Sequence, residues 1–377
     1  DNRIQTLKNG MFKFLDSNDA TLNDVKVGLG HFSVNGAGKA GRMLVPAEKL
    51  GPVGSAHRVT LRNAVNGLVA SGGTPTAHGY AEAAAYLMGQ KPYVSKPRTD
   101  LQAMFIEDSG TVYRTCDSWS NTTCTGWGSR YSGTLSTEGY TQGDRVRVGN
   151  IWGRIYIGAD TALTTGFFSS SSSTKDGDSY KSPLPDKDKR VSCDGQGVYV
   201  LSDGEANGSS PSEATEIMSA TLGSKGSGFS CPTRGGLNTG SAASWHCMGE
   251  FAKKLYAKDD NPVGVSIQTA FVGFGSDFNK LTSTHVQQAC KLSSRTQADR
   301  NGDDSCSPGQ GAYAVNAPGY GNGGFFATQS EQGVTESVIA FINKSTIDAP
   351  NGMTKEEFVA LQANKVLNPW MDYFLKY

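Results

Sequence analysis

Apolar residues fall along this chain in two rhythms, and the switches between them mark its elements. In residues 2–15, Ile4, Leu7, Met11, Phe14 and Leu15 share one helical face. Val25–Val34 reads as a strand, with Arg42–Pro46 as a short neighbour. Leu61, Val65 and Leu68 restore the helical period over His57–Val69, and Ala77–Met88 is an Ala-rich helix. From Lys91 to Arg190 the chain turns polar and aromatic, with strand-like pieces such as Val146–Gly158 and a Ser/Asp/Lys stretch read as a mobile loop. The core rhythm resumes at Gly197. Helices are predicted over Ser210–Leu222, Ser241–Tyr256 and Gln332–Ile342, and strands over Val263–Phe274 and Phe325–Ala327. The pattern therefore divides the chain into a first core part over 1–90, a β-rich insertion over 91–190, and a second core part over 191–349. The second part carries a long excursion over 276–322. Residues 350–377 read as an exit segment with an amphipathic helix, leading towards a further domain downstream.

The sharpest local signal is VYVLSDGEAN (Val198–Asn207), an apolar run that stops on Asp203, with Glu205 close behind. A short continuous apolar run is the mark of a buried parallel strand, and ligands of open α/β sheets bind beyond the carboxyl ends of such strands. A second signal is ASGGTPTAHGYAEAAAYL (Ala70–Leu87), where Thr74 and Thr76 sit in a Gly-rich turn that opens a helix. A carboxylate and a hydroxyl are hard oxygen donors, suited to Mg²⁺ or Ca²⁺. Each residue has a plainer reading as well: Asp203 can cap the next turn, and Thr74 or Thr76 can cap the helix.

At these residues the chain resembles a von Willebrand factor A domain, whose metal-ion-dependent adhesion site joins an Asp-x-Ser-x-Ser loop, a Thr in a second loop and an Asp after a later strand. Thr74 and Asp203 match the second and third elements, with Glu205 as an outer candidate. The resemblance implies a doubly wound, Rossmann-like α/β fold. Residues 2–15 look like the helix that comes after the first loop, so the first central strand and its ligands are expected upstream of Asp1. Within this family, GGTPTAHGYAEAAAYLMG, YVLSDGEANGSS and GFFATQSEQGVTESVIAFI are similar to the N-terminal part of the PilC/PilY adhesins at type IV pilus tips. That likeness covers most of the core and none of the insertion. It implies an extracellular protein at a Gram-negative cell surface, acting in adherence, pilus extension and twitching motility. It also implies partners: a host-cell surface receptor or matrix protein, minor pilins at the tip, and a β-propeller downstream in the same protein.

Composition narrows the alternatives. Thirty-five basic residues balance 35 acidic ones, which gives no basic field for nucleic acid. No apolar run approaches the roughly 18–20 residues that cross a bilayer. The seven cysteines suggest an oxidising compartment, with Cys116/Cys124, Cys231/Cys247 and Cys290/Cys306 as local pairs and Cys193 left over. A zinc site is the rival, yet there is no CxxC spacing, and among the five histidines only His246 adjoins a cysteine.

Other motifs carry less. Gly36-x-Gly38-x-x-Gly41 fits the dinucleotide fingerprint, but Arg42–Pro46 directly after it is β-like and ends in proline, so the motif reads as a flexible hairpin. Asp299, Asn301 and Asp303 mimic the start of a calcium loop, without the Gly and Glu that an EF-hand places later. Glu107-x-Ser109-x-Thr111 imitates the missing first loop, although no helical period comes after it. Trp119 and Trp127, beside the Cys116/Cys124 loop, are candidate ligand contacts or, equally, a small core of the insertion. No Gly-x-Ser-x-Gly elbow or His-Glu-x-x-His helix marks an enzyme. The leading expectation is a non-enzymatic adhesin module that binds through a divalent cation. The alternative is a structural or mechanical tip module with a degenerate metal site, recognising its partner through the insertion; a secreted hydrolase comes last.

Overall fold

A computed structural model describes residues 2–32, 40–70, 73–93, 102–120, 123–134, 137, 140–158, 165–190, 195–232, 243–275, 278, 284–293 and 321–345. They form a mixed α/β protein with several sheets. Helix α1 (Asn2–Leu15) precedes a hairpin of β1 (Lys26–Phe32) and β2 (Gly41–Lys49), then α2 (Ala56–Asn66) and α3 (Thr76–Met88). The insertion supplies β3 (Gln102–Glu107), β4 (Val112–Ser120), β5 (Thr123–Trp127), β6 (Tyr131–Ser132), β7 (Tyr140–Val148) and β8 (Ile151–Gly158). Two short strands come next, β9 (Lys175–Asp176) and β10 (Ser179–Tyr180). The second core part then runs through β11 (Gln196–Ser202), α4 (Pro211–Thr221), α5 (Trp245–Tyr256), β12 (Ile267–Phe274), α6 (Thr284–Ser293), β13 (Asn322–Thr328) and α7 (Glu331–Ser345).

Strands β11, β12 and β13 pair in parallel, in that order. Every residue of the central strand β12 is buried, as expected where helices cover both faces of a parallel sheet. Alternation along β11 splits the interior in two. Val198 and Val200 join α3, α4, α5 and α6 in one cluster, in which Phe251 meets Tyr80 edge-on at 5.1 Å. Tyr199 faces the other way, onto a cluster formed with α1, α2, α7 and the β1–β2 hairpin. Helix α4 begins where its sequence says it should. Ser210 Oγ accepts from Glu213 N at 3.3 Å, the Glu213 carboxylate accepts from Ser210 N at 3.1 Å, and Pro211 occupies the first turn. Such a cap contributes about 1 kcal/mol.

Elsewhere the structure departs from the sequence expectations. Val146–Gly158 is not one strand but most of the β7–β8 hairpin, turned at Gly149 with φ of 63°. Helix α5 opens at Trp245 because Ser244 adopts a left-handed φ of 52°. The excursion over 276–322 contains α6, which was not expected.

The serine-rich stretch after Thr165 was expected to be a mobile loop; instead it is built into the core. Gly166 N donates to Gly41 O at 2.8 Å, Met43 N to Ser170 Oγ at 3.0 Å, and Ser171 N to Met43 O at 2.9 Å, so this segment covers the outer edge of β2. Beneath it lies a buried polar cluster in which the Glu82 carboxylate accepts from Tyr180 OH and, at 2.7 Å, from Thr165 Oγ1.

Candidate functional site

Thr74 and Asp203 lie 129 positions apart in sequence, and the fold brings their loops together at the carboxyl end of β11. Asn207 binds the loops from both sides: its Oδ1 accepts from Thr74 N at 2.8 Å, and its N donates to Thr74 O at 2.8 Å. The Thr74 hydroxyl then faces Gly204, 3.6 Å from where a Cβ would stand. Asp203, Glu205 and Asn207 are exposed at this rim, and Thr74 is half-buried. The first turn of α1 reaches the same place. A Cβ on Gly275 would meet Arg3 Cδ at 3.5 Å and the Asp203 carbonyl at 3.7 Å.

The plainer readings of these two residues find no support in the hydrogen bonds. Helix α3 is capped at Pro75 without a side-chain bond, so neither threonine hydroxyl serves as its cap. Helix α4 takes its cap from Ser210, not Asp203. The turn after β11 is held by Ser202 Oγ donating to Gly204 O at 2.9 Å. Below the rim, Ser209 is fully buried and anchors the loop by bonding His78 Nδ1 at 2.8 Å and accepting Ser244 Oγ at its carbonyl.

As a donor set, one carboxylate and one hydroxyl suit a hard divalent cation in kind. They fall short in number, because Mg²⁺ or Ca²⁺ takes six or more oxygens, so the balance must come from water or from groups outside the described residues. Glu205 stands on the same loop. Asn207, Ser209 and His78 were not singled out from the sequence. The one hint for them was the polar run EANGSS after Asp203.

The remaining candidates fall in different places. Asp299, Asn301, Asp303, Cys193 and Cys306 lie outside the described residues. Cys116–Cys124 and Cys231–Cys247 are disulfides, and Cys290 is also disulfide-bonded. Cys231, His246 and Cys247 form a group with ligand atoms within 4.8 Å of one another. Their two sulfurs are bonded to each other, however, and metal binding by cysteine requires thiolates. The imitation first loop is not a metal loop. Arg130 grips the Glu107 carboxylate through two bonds of 2.7 and 2.6 Å, and β4 comes next where a helix would be needed.

Trp127 packs against buried Phe105 with ring centroids 5.6 Å apart, in keeping with a small core within the insertion. Trp119 lies on β4 opposite Cys124, and its side chain is outside the described set. Among the described residues, the exposed large aromatic residues of the insertion are instead Tyr131, Trp152 and Phe168, with Trp152 under the Arg145 guanidinium at 4.7 Å. No helix among the described residues is long and apolar enough to cross a membrane. No protein-family model, curated protein or solved structure matches the chain.

Proposed function

We propose that the chain is an extracellular binding module of the von Willebrand factor A type, from an adhesin of a type IV pilus tip, and that its carboxyl rim takes part in holding a divalent cation. The observation that carries this reading is the meeting of the Thr74 and Asp203 loops, tied through Asn207, at the end of a buried parallel strand. Two disulfides and a third bonded cysteine accord with life outside the cell.

The chemistry is coordination rather than turnover. A bound Mg²⁺ or Ca²⁺ would offer an open position to a carboxylate of the partner. Asp203 contributes negative charge at the rim, and Thr74 contributes a neutral oxygen that leaves the site electrophilic. Asn207 ties the two loops together, and buried Ser209 anchors the loop after Asp203 to His78. Host receptors or matrix proteins, and minor pilins at the tip, are the partners this reading names.

The test is a calorimetric titration of Mg²⁺ and of Ca²⁺ into the polypeptide extended upstream of Asp1, beside its Asp203→Ala variant. Binding that is lost in the variant supports the reading. Binding unchanged by the variant, or no binding, overturns it.

A further inference from the structure

The Cys231–Cys247 disulfide has a histidine at its side. His246 and Cys247 are the second and third residues of α5, and both are buried. Cys231 lies in the connection from α4 to α5 and is half-buried. His246 Nε2 stands 3.6 Å from Cys247 Sγ, and the three ligand atoms lie within 4.8 Å of one another. Thr215 of α4 adds a hydroxyl oxygen 3.0 Å from Cys231 Sγ and 3.9 Å from Cys247 Sγ. That hydroxyl donates to the Pro211 carbonyl at 2.7 Å, so it turns lone pairs towards the sulfurs.

Contacts other than the sulfur–sulfur bond hold both cysteines in place. Cys247 belongs to the core cluster that joins α4 to α5, with Ile217, Met218, Met248 and Phe251. Cys231 packs against the same cluster, and Phe229, two residues before it, meets Phe251 edge-on at 6.5 Å. Breaking the bond therefore leaves both sulfurs beside the imidazole.

We propose that Cys231, Cys247 and His246 form a zinc site when the disulfide is reduced, so that the two cysteines hold either each other or a Zn²⁺ ion. Ligand type selects the metal: two thiolates and an imidazole nitrogen suit Zn²⁺ and disfavour Mg²⁺ and Ca²⁺. Spacing agrees. Tetrahedral bonds of about 2.0–2.3 Å put ligand atoms roughly 3.3–3.8 Å apart, and the imidazole already stands at that distance from Cys247. Charge agrees as well, because two thiolates neutralise the ion and the buried site carries no net charge. Three protein ligands leave the fourth position to water on the side of Cys231, the ligand that is not fully buried. A dithiol supplies the two electrons. It closes to a cyclic disulfide while Cys231 and Cys247 become thiols, and zinc binding then releases both thiol protons to solvent. A disulfide oxidant reverses both steps and frees the ion. None of this depends on a cation at the Asp203 rim.

The test is a titration of Zn²⁺ against a chromophoric chelator, using the full chain reduced with dithiothreitol and desalted under nitrogen. The reduced chain is expected to bind one equivalent that the oxidised chain does not, and His246→Ala should weaken that binding at least ~10-fold. Peptide mapping after addition of oxidised glutathione then locates the ion without any variant. Bound zinc should slow closure of Cys231–Cys247 at least ~10-fold and leave closure of Cys116–Cys124 unchanged. No uptake by the reduced chain overturns the proposal. So does uptake that His246→Ala leaves intact, or closure of Cys231–Cys247 at the same rate with and without zinc.

Discussion

The two edges of the β1–β2 hairpin received opposite treatment. The outer edge of β2 is sealed by the chain itself. Backbone and serine hydroxyls of residues 166–171 take the place of a strand, and the Glu82–Tyr180–Thr165 cluster locks them down. The edge of β1 opens on a cavity of about 700 Å³ that Leu7 and Met11 of α1 also line. A sheet edge can be satisfied by irregular backbone if polar side chains fill in for the ladder, at the cost of burying those side chains. The cavity along β1 mixes apolar residues such as Leu7, Met11 and Phe341 with the charged Arg3, Arg42 and Glu82. The contrast separates a closed, self-sufficient edge from one that borders a cavity.

Four perturbations sharpen that contrast, the largest first. Tyr180→Ala removes a ring packed between Phe167 and Tyr86 and strips Glu82 of a donor; it should cost about 3–5 kcal/mol in denaturant unfolding. Exchange at β2 should then rise to match that expected at the open edge of β1.

Next comes pH. Burial pushes the Glu82 carboxyl up to about 7, against the pull of its bonds from Tyr180 and Thr165. The folded state therefore holds a proton that the unfolded state releases near 4.5. This contribution is complete below about pH 4.5 and declines as pH rises towards 7, by roughly 3 kcal/mol in all. His31, pushed down to about 4 by burial and by Arg42, acts in the opposite sense, its contribution being lost as pH falls from about 6.5 through 4. The readout is thus the difference between the wild-type protein and Glu82→Gln, whose amide oxygen can still accept both bonds. That difference should change across pH 4.5–7; a flat one would place the proton elsewhere.

Ser170→Ala leaves the amide of Met43 without its acceptor at the sealed edge, and about 1–3 kcal/mol should be lost in thermal unfolding. Asn207→Ala removes one exposed bond between the rim loops. It should cost about 1 kcal/mol or less in stability, while weakening cation affinity in calorimetry more than that small loss suggests.

Much of this was legible in the sequence because it rests on local chemistry. The face of α1, the capping box of α4 and the apolar run of β11 are each written within a dozen residues. Thr74 and Asp203 stood out because each lies where an apolar element starts or stops. The features that escaped notice depend on distant contacts. Ser170 looks like linker until Met43 is placed against it, and Asn207 does its work on a residue 133 positions away. The kink at Ser244 that delays α5 is a backbone conformation that no propensity announces.

The most direct measurement is an anomalous-scattering map from crystals of the upstream-extended polypeptide soaked in Mn²⁺. A peak within bonding distance of the Asp203 carboxylate and beside the Thr74 hydroxyl is the predicted result. A rim without density, or a peak only at another site, would contradict the assignment of these two loops to a metal.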